Sequence, residues 1–173
     1  MAQAGTAPVL ATPSDAIAAF ERDLPKALKG RTLEEAGWRR LDGITLLVPL
    51  QGQQANGTVD DYLLRLGFAC YPDWPPSAIF VNTQTLSYDP AKDKCWLPHL
   101  DGCNEIAIHQ NYNNQGQLVC CSLTLEFYAV KHGVQPEHVW NPQMHNFSAT
   151  INQINWALKS QFYKGRQDVL PLR

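Results

Sequence analysis

The sequence predicts an α+β domain in which an antiparallel sheet is flanked by an N-terminal and a C-terminal helix. Three observations carry this. An apolar stripe at spacings of three and four follows Ser14, and period-two apolar alternation runs from Ile44 to Cys70. A second helical stripe follows Ser148. With 173 residues and 45% apolar content, the chain has the size of one folded unit, and its core needs no disulfide or metal. We assign 1–13, rich in Ala, Gly, Thr and Pro, to a flexible tail and 14–173 to one domain.

Ser14 is placed to cap the first helix, whose Ile17, Phe20, Leu24 and Leu28 share a face. Pro25 is expected to kink or split it. Thr32 and Glu35 have capping-box spacing, and Gly37 can close that second short helix. Even positions Ile44, Leu46, Val48 and Leu50, then Tyr62, Leu64, Leu66, Phe68 and Cys70, form two strands joined by the Gly52–Gly57 turn region. After the prolines at 72, 75 and 76 comes a strand at 78–81. Residues 82–114 are irregular apart from a short strand at 106–108. The run from Leu118 to Phe127 reads as a strand, or as a strand entering a helix. The last helix is capped by Ser148 and carries Phe147, Ile151, Ile154, Leu158 and Phe162.

Composition excludes several classes. Fourteen basic and sixteen acidic residues give a formal charge of -2, without the positive field that draws a protein to nucleic acid or anionic lipid. The most apolar stretch, Ile44 to Leu50, is far shorter than the roughly 20 residues a membrane-spanning helix needs. No Lys or Arg precedes Arg22, so the N-terminus lacks the charged flank of a secretion signal, and a cytoplasmic location is expected. Five cysteines suit a reducing compartment, where they are thiols that pack, bind metal or react. Phosphate-loop, dinucleotide and serine-elbow patterns do not occur.

The candidate chemistry centres on the adjacent pair Cys120 and Cys121. Successive strand residues face opposite ways. Cys121 shares its parity with the apolar Val119, Leu123, Leu125 and Phe127, and Cys120 with Ser122, Thr124 and Glu126. Cys120 is therefore the expected outward thiol and nucleophile, with Cys121 the second choice; the alternative is that both are small core residues.

Tyr71-Pro72-Asp73-Trp74-Pro75-Pro76, followed by an apolar strand to Val81, resembles the tyrosine-proline-x-x-proline-proline turn of ubiquitin-conjugating enzymes. His109-Gln110-Asn111 is similar to that family's His-Pro-Asn motif with the proline replaced. Gly116 through Cys120 is similar to its glycine-x-isoleucine-cysteine segment with one residue added, and Leu123 stands for the apolar residue that follows. Trp140-Asn141-Pro142 resembles its tryptophan-serine-proline turn. The pieces occur in family order across about residues 15–163. The segments Asn82–Glu105 and Cys120–Trp140 are longer than usual, as in a divergent, bacterial member; such relatives have their own ubiquitin-like protein and activating enzyme and a place in antiviral defence.

The resemblance implies that fold and a thioester carrier. Cys120 would accept an acyl group from an activating enzyme bearing a ubiquitin-like protein and pass it to an amine on a protein target, with no cofactor. Asn111 would stabilise the oxyanion, directly or by holding the loop that does; the other reading is an Asx turn formed with Asn113 and Asn114. His109 would be structural. Ile17, Phe20, Glu21, Arg22 and Asp23 would meet the activating enzyme. The alternatives are a binding module of the same fold without chemistry, and a zinc-stabilised domain held by Cys95, His99, Cys103 and His109. A thiol hydrolase would need His132, His138 or His145 beside a cysteine.

Overall fold

The computed structural model describes residues 7–130 and 139–170. The α+β class stands: a four-stranded antiparallel sheet carries helices. Helix α1 spans Pro13–Leu28, and the strands β1 (Arg39–Asp42), β2 (Thr45–Gln53), β3 (Val59–Gly67) and β4 (Ser77–Phe80) follow in sheet order. The β2–β3 hairpin pairs Thr45 with Gly67 at one end and Gln53 with Val59 at the other. Two further two-stranded sheets join β5 (Pro98–Leu100) to β8 (Tyr163–Arg166) and β6 (Ala107–His109) to β7 (Leu118–Cys120). Helices α2 (Leu125–Ala129) and α3 (Phe147–Lys159), with short 3-10 helices at Lys94–Trp96 and Tyr112–Asn114, complete the described elements. Among the described residues no helix is long and apolar enough to cross a membrane.

Several local expectations are corrected. Thr12, not Ser14, caps α1; its side chain accepts from the Asp15 amide, and Pro13 stands in the first turn, where its missing N–H costs nothing. The helix thus begins at Pro13, inside the segment assigned to the tail. The helix runs on through Pro25, which sits in the last turn, so only the Glu21 carbonyl loses a helical donor. Thr32 and Glu35 do form the reciprocal capping pair, at 2.7 and 3.1 Å. It caps a turn and no helix, because Gly37, with φ +68°, diverts the chain. Asn146, not Ser148, caps α3: its Oδ1 accepts from the Ser148 amide at 2.9 Å. Phe162 lies beyond α3, its ring 6.3 Å from that of Trp156. Strands β1, β5 and β8 carry no apolar alternation and were not expected.

The core explains why the two helices settle on the sheet. Phe20 of α1, Phe68 after β3 and Phe147 of α3 meet with ring centroids 4.6 to 5.8 Å apart. Tyr71 packs on Phe68 at 5.5 Å. All four are fully buried, and aromatic burial of this kind is a dominant stabilising contribution. Leu46, Val48, Leu50, Leu64 and Leu66 supply the sheet side of the cluster.

That packing corrects the proposed contact face of α1. Phe20 is 0% and Asp23 2% exposed, whereas Ile17 lies at the surface. The Asp23 carboxylate receives the Tyr71 hydroxyl at 2.6 Å, the Arg22 guanidinium at 2.6 Å and the Lys26 ammonium at 2.8 Å. Burial alone would raise its pKa, but these donors hold it down at about 2.

Candidate active site

The cysteine pair is positioned from both sides. Upstream, β6 and β7 form a hairpin in which Ala107 pairs with Cys120, Ile108 with Val119 and His109 with Leu118. Gln117 ties this hairpin to the main sheet. Its Oε1 accepts from the Phe80 amide at 2.6 Å and its Nε2 donates to the Phe80 carbonyl at 2.8 Å. A buried side chain thereby stands in for a fifth strand beside β4.

Downstream, hydroxyl groups hold the turn that follows Cys120. Thr124, fully buried, donates its hydroxyl to the carbonyls of Val119 and Cys121 at 2.6 and 3.0 Å. Tyr128 donates to the Ser122 carbonyl at 2.9 Å, and Thr150 of α3 donates to the Leu123 carbonyl at 2.7 Å. The sequence pattern placed Thr124 outward and gave Tyr128 and Thr150 no role, because a hydroxyl inside an apolar run gives no signal until the fold shows which carbonyl it meets.

The two thiols end in different surroundings. Cys121 is 5% exposed, and burial pushes its pKa up to about 12. Cys120 is half-buried, and its pKa is raised by desolvation alone. The outward-inward order matches the expectation, but the strand argument behind it does not extend past Cys120. The strand is three residues long, Leu118 and Val119 are both buried, and Thr124, expected outward, is fully buried.

Asn111 lies at the other end of the hairpin. Its position is beyond the His109–Leu118 pair, while Cys120 pairs with Ala107; at about 3.3 Å per residue, the ladder alone spans roughly 7 Å between those pairs. Its side chain is committed to its own loop, accepting from the Gly116 amide at 3.0 Å and donating to Asn114 Oδ1 at 3.3 Å. Asn113, Asn114 and Gly116 adopt left-handed φ values of 49, 59 and 108°, which asparagine and glycine tolerate. The loop-holding role is the one this geometry offers Asn111. The His109 ring packs against Tyr112 at 5.1 Å.

The zinc set does not assemble: among the described residues no three His, Cys, Asp or Glu side chains converge on a common point. Cys95 is buried, His99 is exposed, and the Cys103 thiol donates to Glu105 at 3.4 Å. For the hydrolase reading, His145 is turned elsewhere: its Nδ1 accepts from the Asn141 amide at 3.2 Å and its ring lies 5.5 Å from Trp140. His132 and His138 lie outside the described residues.

Glu126, in the first turn of α2, accepts from the Ala78 amide at 3.0 Å and from the Ser77 hydroxyl. Desolvation raises its pKa. It locks the segment after the cysteines against β4. Trp140 closes the other side, its indole donating to the Pro72 carbonyl at 2.8 Å and its amide to the Tyr128 hydroxyl at 2.8 Å. An α+β protein with a half-buried thiol at a strand end, just before a braced turn, is the class that fold and site define. Comparison with family models, curated proteins and solved structures finds no match.

Proposed function

We propose that this chain is a conjugating enzyme of the ubiquitin-conjugating type, with Cys120 as acyl carrier. The observation that carries the reading is the asymmetry of the pair: Cys120, at the end of β7 before a hydrogen-bonded turn, is half-buried, whereas Cys121 is buried in the core. Two of the segments that resemble the family also meet in space, since Trp140 of the tryptophan turn binds the Pro72 carbonyl of the proline turn.

In the first step the Cys120 thiolate attacks the thioester carbonyl carbon at the C-terminus of a ubiquitin-like protein. A new C–S bond forms, the old one breaks, and the thiolate of the activating enzyme departs. In the second step an amine on the target attacks the same carbon, a C–N bond forms, and the amine's proton is lost. Cys120 leaves as thiolate and is reprotonated. Because burial raises the pKa of this thiol, loading requires the small thiolate fraction and accelerates with pH through the ordinary thiol range. Asn111 contributes by holding the loop at the far end of the hairpin.

The test is a non-reducing gel after incubation with ATP, an activating enzyme and its ubiquitin-like protein. A band of summed mass that thiol reagent removes, and that Cys120→Ala abolishes while Cys121→Ala retains, supports the reading. Binding of the ubiquitin-like protein without any such band assigns the chain to a non-catalytic binding module instead.

A further inference from the structure

Beside α3 lie hollows lined by four cations that form no ion pair with a carboxylate among the described residues. Three hollows of 340, 510 and 470 Å³ adjoin one another around Lys159. Lys29 and Arg31 line the first, and Lys164 the last. Among the described residues, ion pairs are made by Arg22, Lys26, Arg40, Lys92 and Arg166, and by none of these four. Asp61 is the single acidic residue lining the hollows, and its carboxylate already accepts from Gln51 at 2.9 Å. Within the lining four cations stand against Asp61, with Glu35 acting on Arg31 from outside it; on a chain whose net charge is -2 this is a local excess of positive charge.

Helix electrostatics explain part of this. Lys29 and Lys159 stand at the C-terminal ends of α1 and α3, where a cation complements the last carbonyls. That accounts for one lysine per helix, and not for Arg31, for Lys164 or for the scarcity of acids. The remaining lining is rich in carboxamides, with Asn152, Asn155, Gln53 and Gln161 bordering the same hollows. A carboxamide both donates and accepts, so it can pair with the N–H and C=O groups of an extended chain.

We propose that this groove docks an extended acidic peptide segment of a partner protein, the carboxamides meeting its backbone and the four cations its carboxylates. A single-stranded nucleic acid fits the lining less well. Bases need exposed rings to stack on, and two of the three bordering aromatics, Tyr62 and Tyr163, are buried with their hydroxyls bonded to each other at 2.7 Å. The proposal is independent of Cys120.

Fluorescence anisotropy of the full chain with an end-labelled peptide of alternating glutamate and serine tests it, beside a lysine-serine peptide and an oligothymidylate of equal length. Saturable binding of the acidic peptide is expected, weakening as salt is raised. The double variant Lys29→Glu with Lys159→Glu should lose at least tenfold in affinity, and Lys94→Glu, outside the groove, should lose none. Both lysines are at the surface, and a melting curve confirms folding of the variant. Lack of saturable acidic-peptide binding, binding undiminished in the double variant, or tighter binding of oligothymidylate would each overturn the proposal.

Discussion

Trp140 donates its indole N–H to the carbonyl of Pro72 at 2.8 Å, across 68 residues of chain. Both partners belong to short proline-containing turns, and the Trp140 ring also packs on Tyr71, with centroids 6.1 Å apart. Trp140→Phe keeps an aromatic ring but orphans that carbonyl, so a loss of about 2 kcal/mol is expected from the unsatisfied acceptor and the missing ring volume. Urea unfolding measures it, and a variant as stable as the parent would show that the bond contributes nothing.

Tyr128 links the cysteine turn to Trp140, donating to the Ser122 carbonyl and accepting from the Trp140 amide. Tyr128→Phe should loosen the turn and change the rate at which iodoacetamide alkylates Cys120 by threefold or more, with Cys121 protected in both proteins. Mass spectrometry of timed digests reads each site separately. Equal Cys120 rates would mean that the hydroxyl does not position this turn.

Asp23 makes stability depend on pH with a definite sign. Its folded pKa of about 2 lies below the ordinary value of 3.8, so the stabilisation it contributes is fully present above that ordinary value. It is lost as pH falls through the folded value. The difference corresponds to about 2 kcal/mol. Asp23→Asn should be less stable at neutral pH and should flatten the acid limb of the stability curve. An unchanged acid limb would assign the acid sensitivity to other carboxylates.

Gly52 faces the ring of Tyr163, and a Cβ placed there would come 2.4 Å from the ring carbon that bears the hydroxyl. The ring has little room to yield, since its hydroxyl bonds both Tyr62 at 2.7 Å and Asp60 at 2.6 Å. Gly52→Ala should cost about 1–3 kcal/mol, seen as a lower melting temperature. Adding Tyr163→Phe should not restore it, because the clash is with the ring itself.

Some of this architecture was legible before any coordinates. The β2–β3 hairpin follows from the period-two pattern of Leu46, Val48 and Leu50 against Tyr62, Leu64 and Leu66, and the apolar stripe of α3 from Ile151, Ile154 and Leu158. Both cap positions were missed by two residues because Thr12, Ser14, Asn146 and Ser148 are all competent caps, and backbone geometry chooses among them. Strands β5 and β8 escaped notice because each is short and owes its place to the other.

The amino-acid order by itself determined the elements whose side chains repeat with the helix or strand period, since burying one face of each is the only way to remove that surface from water. Strand alternation also led to the expectation that the two adjacent cysteines differ, but Leu118 and Val119 are neighbours and both buried, so the turn after Cys120 sets their difference. Tertiary structure alone decided which hydroxyls brace the Cys120 turn, that Gln117 seals the edge of β4, and that Asn111 sits at the far end of the hairpin. It also decided that Cys95, His99, Cys103 and His109 do not converge. These depend on contacts between residues distant in the chain, and local periodicity carries no record of such partners.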